Sequence, residues 1–121
     1  MTKQLNILVV DDDVENAVSL AELFQADDHV VTIAYDGQEA VEAFERADFD
    51  LGFFDVMMPR KNGVESFLEI RQSRPLARIY FMTGFSDSDL LERATSQGAL
   101  GIFSKPADPM ALLEAVGLEA A

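Results

Sequence analysis

Five times along this chain a strand-length apolar run gives way to a segment with apolar residues at helical spacing, and few folds accommodate that rhythm. The runs are Asn6–Val10, Val30–Tyr35, Leu51–Asp55, Ile79–Thr83 and Gly101–Ser104. The amphipathic segments between and after them are Val14–Ala26, Gln38–Arg46, Val64–Ser73, Asp87–Gln97 and Pro109–Val116. Alternation of this kind predicts an α/β, doubly wound sheet. The first, third and fourth runs are continuously apolar, as expected of parallel strands covered on both faces. Asp36-Gly37, Pro75 and Gly98 punctuate the junctions, and Ser86 with Asp89 three residues on reads as a capping box for the fourth helix. The last helix is expected to stop before Gly117, leaving the final residues frayed or cut from something longer.

Composition narrows the classes. A chain of 121 residues is expected to form one domain over residues 1–121 and to bury roughly two thirds of its unfolded surface. No run approaches the ~18 apolar residues of a membrane span, and no basic-then-apolar leader opens the chain, so a cytoplasmic location is expected. The absence of cysteine excludes disulfides and zinc–thiolate sites, and a single histidine excludes a histidine-rich metal site. A net charge of −13 repels phosphate backbones and anionic lipid, so direct nucleic-acid binding and membrane association are not expected.

In an open parallel sheet the C-terminal strand ends converge on one edge, where ligands bind. Here those ends carry Asp11-Asp12-Asp13, Asp55, Thr83 and Lys105. Helix capping accounts for part of the acidic run: Asp12 with Glu15 fits a capping pattern, and Asp13 is itself a capping residue. Three adjacent carboxylates still repel one another, and a bound cation relieves that repulsion. Asp11 and Asp12 are therefore candidate metal ligands, and an all-oxygen set selects Mg²⁺ or Mn²⁺ over zinc or copper. No structural need calls for a carboxylate at Asp55. As a nucleophile it would attack phosphorus to give an acyl phosphate, with the metal and Lys105 offsetting the repulsion between anions. Thr83, followed by Gly84, is placed to donate to a phosphoryl oxygen.

Taken together, the acidic pair, Asp-x-x-Met-Pro at Asp55–Pro59, Thr83-Gly84 and Lys105-Pro106 resemble the receiver domain of two-component response regulators, over essentially the whole chain. The resemblance implies a flavodoxin-like, five-stranded parallel sheet in the order 2-1-3-4-5 with five helices, a strand order for which this family is itself a standard example. It implies that Asp55 takes a phosphoryl group from the phosphohistidine of a sensor histidine kinase or a histidine phosphotransfer protein. It further implies that Asp12 binds the metal directly, Asp11 largely through water, and that Asp55 and the main-chain carbonyl of Met57 complete the ligands. Thr83 and Lys105 would contact phosphoryl oxygens, and Lys105–Pro106 would be cis. Phosphorylation would then remodel the face built from the fourth helix, fifth strand and fifth helix, leaving room for a homodimer that depends on phosphorylation.

The switch position three residues before the lysine is usually aromatic, and here it is Ile102. Phe103 should point to the other side of the sheet, because strand side chains alternate. Ile102 is therefore expected to move little. Met57 and Phe85 occupy positions that tune dephosphorylation in the family, and their bulk favours a long-lived phosphoryl state. Asn16 and Pro106-Ala107-Asp108 look more like phosphorelay receivers than DNA-binding regulators.

Three rivals remain. Asp11-x-Asp13 resembles the nucleophile motif of haloacid-dehalogenase-type phosphatases, but no later acidic pair follows for their metal. A flavodoxin-like flavin carrier would need a Ser/Thr/Gly-rich loop where this chain has three aspartates. A pseudo-receiver would keep the fold without the chemistry, yet every site residue is present. The phosphatase would carry its acyl group on Asp11, the receiver on Asp55.

Overall fold

The computed structural model describes residues 3–84 and 88–121. Among them the order is β1 (Asn6–Val10), α1 (Val14–Ala26), β2 (Val30–Ala34), α2 (Gly37–Arg46), β3 (Leu51–Asp55), α3 (Gly63–Ser73), β4 (Ile79–Thr83), α4 (Ser88–Ser96), β5 (Gly101–Ser104) and α5 (Pro109–Ala120). The strands form one parallel sheet in the order β2-β1-β3-β4-β5. This is the flavodoxin-like, doubly wound architecture expected from the sequence. Ser86 and Phe85 lie outside the described residues.

Strand alternation splits the core in two. Leu8, Val10, Phe54, Ile79 and Phe81 face α2, α3 and α4, which contribute Phe44, Phe67 and Ala94. Ile7, Val9, Leu51, Phe53 and Met82 face α1 and α5, which contribute Phe24, Leu112 and Val116. Aromatic rings anchor both layers. Phe53 lies 4.9 Å from Phe24 and 5.4 Å from Tyr80, while Phe81 takes Phe54 and Phe67 edge-on. Each fully buried ring contributes up to about 3 kcal/mol of transfer free energy.

Polar caps set where the helices begin. Asp13, Asp36 and Asp108 accept backbone N–H bonds from Asn16, Glu39 and Met110. Asn62 and Glu65 form a reciprocal capping box at α3. Each cap stabilises its helix by about 1 kcal/mol. Capping of α1 falls to Asp13, which leaves Asp12 exposed and without that structural task.

The C-terminus departs from expectation. Helix α5 passes straight through Gly117 and ends at Ala120. Val116 and Ala120 are fully buried, the Lys3 N–H donates to the Ala120 carbonyl at 2.9 Å, and Arg78 grips Glu119 through two bonds of 2.6 and 2.8 Å. Together these outweigh the roughly 1 kcal/mol that a helical glycine costs.

Candidate functional site

The chain leaves β1 toward β2 on one side and reaches β3 on the other, so the topological switch point lies between β1 and β3. Asp11 follows the end of β1 and Asp55 ends β3, which puts both carboxylates at that crevice. Ladder bonds carry the sheet geometry past the strand ends: Asp11 N–H donates to Ala34 O and Lys105 N–H to Thr83 O. Asp11, Asp55 and Lys105 thereby keep the phase of Val9, Phe53 and Phe103, on the α1/α5 side of the sheet.

Lys105 ties the group together. Its Nζ lies 2.9 Å from Asp11 Oδ2 and 3.1 Å from Asp55 Oδ2. Asp11, Asp12 and Asp55 each offer an oxygen within 4.8 Å of the others. Opposite ligands of a Mg²⁺ ion sit about 4.2 Å apart at its usual ~2.1 Å bond length, so this spacing suits direct and water-bridged ligation. The donors are all hard oxygens, and one ammonium offsets only one of three negative charges. The residues present fit a divalent cation.

Electrostatics mark Asp55 as the unsettled member. Burial pushes its carboxyl above the usual range; Lys105 opposes that rise, the Asp11 charge adds to it, and the Met57 N–H opposes it through a hydrogen bond. Burial by itself would pull the Lys105 ammonium down, but its bonds and charge pairing with Asp11 and Asp55 carry it above the ordinary lysine value. Asp11 is almost wholly buried and also accepts the Asp13 N–H at 3.0 Å.

Comparison with known proteins gives the family. The family model for the response regulator receiver domain matches residues 7–117. The chain belongs to the response regulator receiver domain family. One relative is the transcriptional regulatory protein PdtaR of Mycobacterium tuberculosis, 38% identical over 93% of this chain and 55% of that protein. The chain thus spans about half the length of that relative. A CheY-like receiver domain from Methanospirillum hungatei superposes with a TM-score of 0.92 at 26% identity, covering 98% of this chain and 94% of the other. A chain in the CheX–CheY–BeF₃–Mg²⁺ complex from Borrelia burgdorferi superposes at 0.87 and 26% identity, covering 94% and 87%.

The remaining receiver positions sit as follows. Thr83 is buried at the end of β4, one residue beyond Met82, the register partner of Asp55. It keeps the phase of Phe81, on the α3/α4 side, where Ile102 pairs with Phe81 and is a diagonal neighbour of Thr83. Ile102 is 39% exposed, whereas Phe103 turns to the other layer beside Tyr80 and Phe53. Met57 is exposed at the start of the β3–α3 loop, and Lys105–Pro106 is cis. A cleft of about 510 Å³ opens beside Asp11 and Lys105, between α1 (Asn16, Leu20, Leu23) and α5 (Leu112). Gly63 lets α3 begin directly against Asp55: a Cβ there would lie 2.1 Å from the Asp55 carbonyl oxygen. Sequence reasoning missed the link between this loop and Asp36, whose carboxylate pairs with Arg60.

Proposed function

We propose that this receiver domain accepts a phosphoryl group on Asp55 from a phosphohistidine of a sensor histidine kinase or a histidine phosphotransfer protein. Asp11, Asp12, Asp55 and the Met57 main-chain carbonyl would hold Mg²⁺ (or Mn²⁺). The ion supplies charge neutralisation of phosphoryl oxygens when bound. Asp55 contributes the nucleophilic oxygen: an O–P bond forms as the P–N bond to the partner's imidazole breaks, and the imidazole leaves with that electron pair and takes up a proton. Lys105 exchanges part of its pairing with Asp55 for a phosphoryl oxygen, and Thr83 donates to another. The supporting observation is the Lys105 ammonium, shared by Asp11 and Asp55 at 2.9 and 3.1 Å.

The reaction is the domain's own phosphorylation and dephosphorylation, not turnover of a separate substrate. The Borrelia chain's complex with BeF₃ and Mg²⁺ supports the same ligand chemistry here. The partner would approach along the α1/α5 cleft, which α1 lines with Asn16, Ser19, Leu20 and Leu23. We read residues 1–121 as one domain, since the described residues share one sheet and its two cores. No helix among them is long and apolar enough to cross a membrane, and we place the domain in the cytoplasm. On the output side, Thr83 moves toward the phosphoryl group. Ile102, already at the surface, adjusts little, and the α4–β5–α5 face becomes available to a protein partner or a second copy.

Acetyl phosphate with Mg²⁺ provides the test. Wild-type protein should gain an acid-labile, hydroxylamine-sensitive label that Asp55→Asn lacks. Label retained in Asp55→Asn, or mapped to Asp11, would overturn the assignment, the second result in favour of the phosphatase-like mechanism.

A further inference from the structure

The β3–α3 loop carries Met57, whose N–H meets the Asp55 carboxylate. This loop does not stand free of the sheet. Arg60 places its guanidinium on Asp36 Oδ2, and the other oxygen of Asp36 accepts the Glu39 N–H at 2.8 Å as the cap of α2. The next residue is Gly37, and a Cβ there would lie only 2.2 Å from the Lys61 carbonyl oxygen. The loop therefore rests on the bare backbone at the start of α2. Its far end is held by the Gly63 N–H bond to Val56 O at 2.9 Å and by the Lys61–Glu69 pair.

Arg60 has a φ of 67° and Asp36 is largely buried. A non-glycine residue in the left-handed region is uncommon, and here its side chain turns back toward α2. Burial would raise the Asp36 carboxyl, but the Glu39 N–H, Arg60 and the Gln38 N–H together hold it below the usual value. The carboxylate is ionised and fully engaged.

We infer that the Asp36–Arg60 ion pair, seated over Gly37, positions the loop that presents the Met57 carbonyl and N–H, making Asp36 and Arg60 positioning residues for the cation and for Asp55. The inference rests on the metal-site reading above. Neither side chain belongs to the cluster of candidate ligands. Each acts by fixing where the loop backbone lies, as outer partners do at many metal sites.

Opposite charges give the test its sign. A purely electrostatic influence would make Arg60→Gly bind Mg²⁺ more tightly and Asp36→Asn more weakly. Positioning predicts that both weaken it, by about tenfold. Asparagine keeps the helix cap, and glycine tolerates the positive φ, so neither variant removes an unrelated support. Gly37→Ala, which drives a methyl group into the Lys61 carbonyl, should weaken binding further, and Arg60→Lys should restore most of it.

Mg²⁺ affinity is read by isothermal titration calorimetry, with the Met57 amide shift followed by NMR and melting recorded with and without Mg²⁺. Asp12→Ala serves as the control for the site itself. Loss in Asp12→Ala together with weakened binding in both Asp36→Asn and Arg60→Gly supports the inference. Loss in Asp12→Ala with wild-type affinity in both loop variants, or opposite shifts in the two, overturns it. A lowered melting temperature with an unchanged Mg²⁺-dependent increment also overturns it, since that marks a merely structural pair. Unchanged affinity in Asp12→Ala removes the metal-site reading and the inference with it.

Discussion

Asp36 and Asp55 invite comparison: both are buried aspartates at the C-terminal edge of one sheet, and their surroundings treat them in opposite ways. Asp36 collects two helix N–H groups and a guanidinium, which outweigh burial and hold its carboxyl low. Asp55 is pushed up by burial and by the charge of Asp11, against a lysine it must share and a single N–H. One site is electrostatically complete; the other is left short of positive charge. That shortage separates a capping residue from a site that calls for a ligand.

The comparison breaks most visibly at Lys105. Lys105→Ala leaves two buried carboxylates facing each other, and it should lower stability in metal-free protein by about 2 kcal/mol, discounted for a partly exposed lysine. Urea unfolding at neutral pH checks this, and added Mg²⁺ should recover part of the loss.

Asp36→Ala removes a cap and an ion pair together and should cost about 1–2 kcal/mol in the same assay. Asp55→Asn should do the reverse. Replacing an ill-served charge by a neutral isostere leaves metal-free stability within about 1 kcal/mol of wild type, on the stabilising side. A clear loss of stability in Asp55→Asn would show that the pocket prefers the charge, contrary to the raised carboxyl.

Acid should separate the two residues by sign. Because the folded-state value of Asp36 is depressed, its contribution is present above the unfolded value of about 3.9 and disappears as pH falls through the folded one. Because that of Asp55 is raised, its penalty is present at neutral pH and fades as pH falls through the folded value toward about 3.9. The stability advantage of Asp55→Asn should therefore shrink first on acidification, while the deficit of Asp36→Ala persists to lower pH. Unfolding free energies measured across that range test both.

Much of this was legible in the residues. All five strands were anticipated, four of them to the residue and β2 one residue too long. The inner strands β1, β3 and β4 are covered on both faces and so read as near-continuous apolar runs, while the edge strands β2 and β5 are only partly buried. The charged trio was foreseeable too: Asp55 ends a strand, Asp11 and Lys105 follow strand ends, and counting in twos from Val9, Phe53 and Phe103 puts them on one side. Helix α5 was misjudged because its extension past Gly117 depends on Arg78 and Lys3, both far away in sequence. The Asp36–Arg60 pair was hidden for the same reason. Asp36-Gly37 reads as an ordinary junction until a loop more than twenty residues later settles onto it. The lone histidine, informative at first only for the metal sites it excludes, accepts the Leu5 N–H through Nδ1 at 3.0 Å and steadies the entry to β1.

The pleat of the sheet also has a topographic consequence. Asp11, Asp55 and Lys105 keep the phase of the α1/α5 flank, while Thr83 and Ile102 keep the opposite phase, toward α3 and α4. On the reading given above, the signal is written on one flank and shifts residues on the other, a single layer of backbone apart. Helix α5 borders both the donor's cleft and the output face, so a donor still seated over α1 would leave α4 open while meeting any reader that extends onto α5.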